Sequence, residues 1–339
     1  MTSVSFRSLD DVAEAIRDLP APDRAARDAA AARNAVLTKP LGALGRLEEL
    51  ALWLAAWQRT PTPRINAPQV VIFAGNHGVT AQGISAFPRE VTAQMVGNFE
   101  AGGAAINQLA QTVGARLDVL ALDLQRPTAD FTHGPAMDAA DLLSAINAGT
   151  QAVSEDADVL VVGEMGIGNT TVAAALCLAL FGGAPKDWAG KGTGLDAEGV
   201  AHKVAIVGRG LATNSASIAG PLDALRCLGG REVAAMAGAM LAARLHRIPV
   251  VLDGFIASAA AAVLYALNPG ALDHVVAGHL SDEQAHARLL DHLGLDPLLA
   301  LGLRLGEGSG ATLAISILQA AVACHSGMAT FAEAGVSDG

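Results

Sequence analysis

Short β-branched runs alternating with helical patterns constrain this chain more than any other feature. The runs are Val70-Val71-Ile72-Phe73 and residues 117–122, 159–162, 250–252 and 275–277. Helical periodicity lies between them, over 91–113, 138–153, 170–181, 198–213 and 232–245. Strands this uniformly apolar are covered on both faces. The alternation therefore predicts an α/β architecture, a mostly parallel Rossmann-like sheet with helices on both faces. In such sheets the ligand sits at the carboxyl ends of the strands.

Residues 8–58 precede any strand. Leu9, Val12 and Ile16 recur at helical spacing and Leu19-Pro20 ends that helix. A second helix is expected over 22–37 and a third over 44–57, with Leu47, Leu50, Leu54 and Trp57 as its apolar stripe. Thr60-Pro61-Thr62-Pro63 and Ala67-Pro68 read as a linker. The three helices form either a small helical subdomain or an arm to a partner subunit. The expected division is N-terminal helices over 1–60, an α/β catalytic domain over 68–323, and a C-terminal helix over 324–339.

Composition narrows the function class. Hydrophobic residues make up 52% of the 339 and aromatics only 4%, so Ala, Leu, Val and Ile must build the core. The net charge of −11 and the brevity of basic clusters such as Arg244-Leu245-His246-Arg247 argue against nucleic acid as a partner. A small anionic substrate stays open, because helix N-termini bind phosphate locally. Cys177, Cys227 and Cys324 lie far apart without a CxxC, which argues against structural zinc and a disulfide scaffold. They read as reduced core residues of a cytoplasmic protein. The N-terminus has no apolar stretch of the kind a secretory signal needs. Residues 255–267 and 311–324 are shorter than the ~18–20 apolar residues of a membrane span, so both are expected to be buried helices.

Several loops can carry chemistry. Leu305-Gly306-Glu307-Gly308-Ser309-Gly310-Ala311 holds one carboxylate among glycines before an apolar helix. Taken alone it is either a turn whose acid meets the helix dipole or a site for a base of raised pKa. Val162-Gly163-Glu164-Met165-Gly166-Ile167-Gly168-Asn169-Thr170-Thr171 follows a strand and opens a helix. Its glycines let backbone amides face an anion at a helix N-terminus. Gly163 and Gly168 have P-loop spacing, but Asn169 stands where a P-loop needs Lys. Gly75-Asn76-His77-Gly78-Val79 places a histidine after the first strand, and Gln82-Gly83-Ile84-Ser85-Ala86-Phe87-Pro88 adds apolar side chains for a ring. Lys191 and Lys203 flank Gly192-Thr193-Gly194, Asp253-Gly254 puts a further acid at a strand end, and Ser281-Asp282-Glu283-Gln284 reads as an N-terminal capping box. His286 and His292 are expected on a solvated helix.

Together these loops resemble the nicotinate-nucleotide–dimethylbenzimidazole phosphoribosyltransferase family. Five segments carry the match: Lys39-Pro40-Leu41-Gly42-Ala43-Leu44-Gly45-Arg46-Leu47-Glu48, Ala74-Gly75-Asn76-His77-Gly78-Val79, 163–171, Gly192-Thr193-Gly194-Leu195-Asp196, and 305–311. The resemblance spans residues 19 to 336. It implies transfer of the phosphoribosyl group of nicotinate mononucleotide to dimethylbenzimidazole or a related base. The products are nicotinate and α-ribazole phosphate for the cobalamin lower ligand. It implies a parallel-sheet α/β domain with a small helical domain built from both chain ends, a homodimer, and no cofactor or metal.

By position, Glu307 resembles the general base and Glu164 a second acid. Gly166, Gly168, Asn169, Thr170, Lys203 and Ser281 resemble the phosphate holders. Met165, Leu305, Asn76, His77 and Gln82 resemble the base pocket. The chain departs from the family pattern at Asn76, where Asp is usual. It departs again at Leu280-Ser281-Asp282-Glu283-Gln284-Ala285-His286, where Arg-Ser-Ala-Glu-Pro-Gly-His is usual, a change that can signal an altered acceptor. Two other readings compete: a kinase or NTPase using the 163–171 loop, and a non-catalytic nucleotide- or base-binding protein.

Overall fold

The apolar runs become strands whose successive side chains feed two separate cores. In the computed structural model, which describes residues 4–337, Val71, Phe73, Leu160, Val162, Val250 and Leu252 enter one core. Val70, Ile72, Val159, Val161 and Val251 enter the other. This is the two-residue period of a strand buried on both faces.

The chain begins with α1 (Leu9–Arg17), α2 (Arg24–Asn34) and α3 (Arg46–Gln58). Then come β1 (Pro68–Ala74), α4 (Glu90–Glu100), α5 (Ala105–Val113), β2 (Arg116–Ala121), α6 (Ala139–Ala152) and β3 (Val159–Met165). After them run α7 (Asn169–Phe181), α8 (Ala197–Asn214), α9 (Pro221–Leu228), α10 (Arg231–His246), β4 (Val250–Leu252) and α11 (Phe255–Leu267). The chain closes with β5 (Val275–His279), α12 (His286–Leu293), β6 (Pro297–Leu299), α13 (Ser309–Gly327) and α14 (Phe331–Ala334). Among the described residues the six strands form one sheet in the order β2-β1-β3-β4-β5-β6. Every neighbouring pair is parallel. The order reverses between β1 and β3, which opens a crevice at their carboxyl ends.

The structure corrects the expected elements in several places. The helix expected over 91–113 is two, α4 and α5, because Gly102 takes φ +79° between them. The short β6 was not anticipated; its three residues carry too little pattern to be recognised. α13 is 19 residues long, so by length and composition it meets the minimum for a membrane span, contrary to the expectation for 311–324. Its inner face, including Ala311, Ala314, Ile315, Leu318 and Ala321, is buried in the second core. His325 belongs to this helix, and the chain breaks at Met328 before the single turn of α14.

α1 buries Val12 and Ile16 in the first core, and Asn268 Nδ2 donates to the carbonyl of Ile16 at 2.8 Å. α2 and α3 instead join the chain's other end. Arg33 donates to the carbonyls of His325 (3.2 Å) and Met328 (3.0 Å), and Leu37 bridges Thr330. α6 and α10 cross so closely that a Cβ on Gly149 would lie 1.8 Å from the carbonyl oxygen of Ala235. One on Gly238 would lie 2.1 Å from that of Ile146, so each helix gives the other a glycine to rest against.

Candidate active site

The loop before α13 is shaped by three consecutive left-handed residues, Gly306 (φ +84°), Glu307 (φ +62°) and Gly308 (φ +78°). The conformation is uncommon for Glu and persists only where its surroundings over-determine it. Two glycines make the required room. A Cβ on Gly163 in β3 would sit 2.7 Å from the backbone carbon and oxygen of Glu307. A Cβ on Gly306 would sit 2.2 Å from Glu164 Oε1. A third group ties the loop down. Asp253, which follows β4, accepts from the N–H of Gly308 (Oδ2, 3.1 Å) and of Ala311 (Oδ1, 3.0 Å). Its Oδ1 also lies 3.3 Å from His279 Nε2 at the end of β5.

This packing sets the proton affinities. Glu307 is 5% exposed. Burial, and after it the charge of Asp253, push its pKa up to about 7. Burial also holds the Glu164 carboxyl well above the usual range, against the hydrogen bond from Asn169 Nδ2 and with the charges of Asp253 and Glu232 adding to the rise. At Asp253 burial acts the same way, but hydrogen bonds from His279 and from backbone N–H groups outweigh it and leave its pKa lowered.

The glycine loop after β3 turns into α7 through Gly168 at φ +94°. Thr170, in the first turn of α7, accepts a 2.7 Å hydrogen bond from Lys203 Nζ on α8. Lys203 is 1% exposed, and burial lowers its pKa to about 8 against the opposing charge of Glu283. Gly192 lies over this pair: a Cβ there would be 2.8 Å from Thr170 Oγ1 and 3.0 Å from Lys203 Nζ. A helix N-terminus beside a hydroxyl and an ammonium is an arrangement suited to a small anion.

These groups share one cavity of about 510 Å³. Glu164, Met165, Gly166, Ile167, Asn169 and Thr170 line one side, and the loop 302–307 lines another. Residues 253–257, Ser281, Glu283, Gly192 and Thr193 complete it, with Phe87 at its edge. Of the residues expected from sequence, Glu307, Glu164, Gly166, Asn169, Thr170, Ser281, Met165 and Leu305 all line the cavity. Lys203 stands behind Thr170, and Gly168 shapes the turn.

Asn76, His77 and Gln82 do not line it. His77 turns inward, where its Nε2 meets Glu232 Oε1 at 2.8 Å with both side chains fully buried. Asn76 Nδ2 donates to the carbonyl of Leu124, and Gln82 bonds Asp130 and Arg209. The β1 loop thus braces the floor beneath Gly166, whose Cβ would meet His77 Nε2 at 2.9 Å. Segment 281–284 is not a capping box, since α12 begins only at His286. Ser281 Oγ accepts from the N–H of Glu283 at 3.3 Å. His286 is not solvated either. Its Nδ1 accepts from the N–H of Ser281 (2.9 Å), and its Nε2 lies 3.0 Å from Ser258 Oγ. Burial lowers its pKa to about 4.

Asp253, His279 and Arg304 belong to the site's surroundings and were not assigned to it from the sequence. The acid after β4 was visible; its bonds to a loop more than 50 residues downstream were not. Arg304 lines the cavity and reaches the carbonyl of Gly192 at 3.3 Å.

A phosphoribosyltransferase family model matches residues 19–336. A nicotinate-nucleotide–dimethylbenzimidazole phosphoribosyltransferase of Roseobacter denitrificans is 63% identical over 99% of this chain and 100% of its own length. The enzyme of that name from Ruegeria pomeroyi is 65% identical over 98% of this chain and 99% of its own. The crystal structure of CobT from Thermus thermophilus superimposes with a TM-score of 0.86 at 44% identity, covering 93% of this chain and 100% of that one. The kinase and binding-protein readings give way to these matches. The chain belongs to the nicotinate-nucleotide–dimethylbenzimidazole phosphoribosyltransferase family, and it is an enzyme of the pentosyl-transferring class.

Proposed function

We propose that the chain transfers the phosphoribosyl group of nicotinate mononucleotide to dimethylbenzimidazole or a related azole, with Glu307 as general base. The 5′-phosphate lies at the N-terminus of α7, held by the N–H groups of Gly166, Gly168 and Thr170, by the Thr170 hydroxyl and by Ser281, with Lys203 supplying charge from behind Thr170. The acceptor ring stacks among Met165, Leu305 and Phe87. Glu307 takes the ring N–H proton while the other ring nitrogen bonds to the ribose anomeric carbon. The anomeric bond to nicotinate breaks, and its electron pair returns to the pyridinium nitrogen, so nicotinate leaves without needing a proton. Attack from the face opposite the leaving group gives the α-riboside. The ionised Asp253 favours the positive charge that the ribose gains as the bond breaks. Glu164 serves as a second acid beside the ribose.

One observation carries the reading: a buried carboxylate with its pKa pushed up to about 7 shares a cavity with the glycine-rich N-terminus of α7. Incubation with nicotinate mononucleotide and a panel of bases, with products identified by mass spectrometry, tests it. Nicotinate and α-ribazole phosphate are expected with dimethylbenzimidazole; no nicotinate release with any base would reject the assignment. Likeness to the family also supports a homodimer, for which sedimentation should give twice 34.2 kDa.

A further inference from the structure

We propose that Asp253, braced by His279, is the positioning residue that holds Glu307 in its left-handed loop and aims its carboxylate at the acceptor ring. The inference rests on Glu307 being the base, and it gives Asp253 a second role, in placing that base.

The geometry is specific. Both carboxylate oxygens of Asp253 are engaged by the backbone on either side of the 308–311 turn: Gly308 N–H at 3.1 Å and Ala311 N–H at 3.0 Å. Those are two of the orphan donors at the start of α13, so Asp253 acts as a remote N-cap for a helix that has no side-chain cap of its own. Without it, three successive positive-φ residues would relax toward commoner conformations and carry Glu307 away. His279 Nε2 lies 3.3 Å from Asp253 Oδ1, the oxygen that the N–H of Ala311 also reaches. Gly310 lets His279 approach, since a Cβ there would lie 2.1 Å from its ring.

The charge acts as well as the hydrogen bonds. The titratable and charged groups around Glu307 are Glu164 from β3, Asp253 after β4, and Glu283 and Arg304 on the cavity wall. Behind Asp253 stand His279 from β5 and His286 from α12, and behind Glu164 stand Glu232 and His77. Asp253 is the group among them whose charge raises the proton affinity of Glu307, second only to burial. It therefore keeps the base near neutrality while holding it in place.

The test is the pH dependence of kcat for the wild-type enzyme, Asp253→Asn and Glu307→Gln, with nicotinate mononucleotide and dimethylbenzimidazole as substrates. Asp253→Asn removes the charge and leaves one acceptor oxygen. Its kcat should fall about 10- to 100-fold, as for a base displaced by a fraction of an ångström. Its acid limb should move down by about one unit, with the KM for the mononucleotide within about twofold of wild type. A purely structural weakening would lower activity without moving the limb. Wild-type kcat and limb in Asp253→Asn, with the limb absent in Glu307→Gln, would overturn the positioning role and leave the base in place. Wild-type kcat in Glu307→Gln would instead overturn the base reading beneath it. Should Asp253→Asn not fold, hydrogen exchange on the wild-type protein decides. The amides of Gly308 and Ala311 should be protected, and exchange as fast as in open loops would reject the proposal.

Discussion

Glu307 is costly to keep as a carboxylate, and that cost can be measured. Its folded pKa of about 7 lies above the ordinary value of 4.5, so the folded state holds this proton more tightly than the unfolded chain does. The stability that this contributes is complete below about pH 4.5 and is lost as the pH rises through about 7. Glu307→Gln should therefore melt at a higher temperature than wild type at pH 8, with the gap closing toward pH 4.5. The same variant should lose about 10²- to 10⁴-fold in kcat while still binding nicotinate mononucleotide. Equal melting temperatures at pH 8 would contradict the buried charge, and unchanged nicotinate release would contradict the base. Lys203 supplies the other limb. Its pKa of about 8 means that its charge is lost on the alkaline side, so kcat/KM should be bell-shaped, rising near pH 7 and falling near pH 8. Lys203→Ala should raise the KM for the mononucleotide and remove the alkaline limb. A change confined to the acceptor's KM would rule out the phosphate role.

At the level of elements, the site depends on β3 and the 306–308 loop touching backbone to backbone. Gly163 permits this contact, since its Cβ would stand 2.7 Å from Glu307. Gly163→Ala should push the loop outward and lower kcat by about 10²-fold, because a displacement of about 1 Å suffices for that loss. Circular dichroism should show the helices intact; wild-type kcat in this variant would mean that the loop has room the contact denies it. The sequence marked both partners of this contact as glycine loops, one after an apolar strand and one before an apolar helix. It did not reveal that they touch, because residues 163 and 307 lie far apart in the chain and meet only once β4 pairs beside β3 and Asp253 after it binds the 308–311 turn. The β1 loop shows the opposite outcome. Asn76 and His77 stand at the right strand end, yet His77 serves Glu232 on α10, a partner more than 150 residues away.

Across the whole molecule, the two chain ends are joined to each other as well as to the sheet. Arg33 on α2 spans to the carbonyls of His325 and Met328, and the Leu37–Thr330 bridge follows. Arg33→Ala removes charge-assisted hydrogen bonds of about 1.5–3 kcal/mol each at most, less where water replaces them. The variant should unfold at lower urea concentration while the KM for nicotinate mononucleotide stays at its wild-type value. A shifted KM would show that this brace reaches the cavity. The three N-terminal helices could be read as helices from the sequence alone. Their division of labour could not: α1 packs into one core and α3 into the other, although apolar residues recur at helical spacing in both.

By itself the sequence determined the parallel α/β layering, the glycine loops at strand ends, and the chemistry that Glu307, Glu164 and Thr170 can offer. These are local properties, set by side-chain period, backbone freedom and functional group, and a chain carries them wherever it folds. Tertiary structure decided which loops meet in one cavity, that His77 and His286 are internal braces, and that Asp253 holds Glu307. It also decided the proton affinities. Burial and the charges of residues distant in sequence dominate those, and neither exists until the sheet has brought Asp253, Glu164 and Glu307 together.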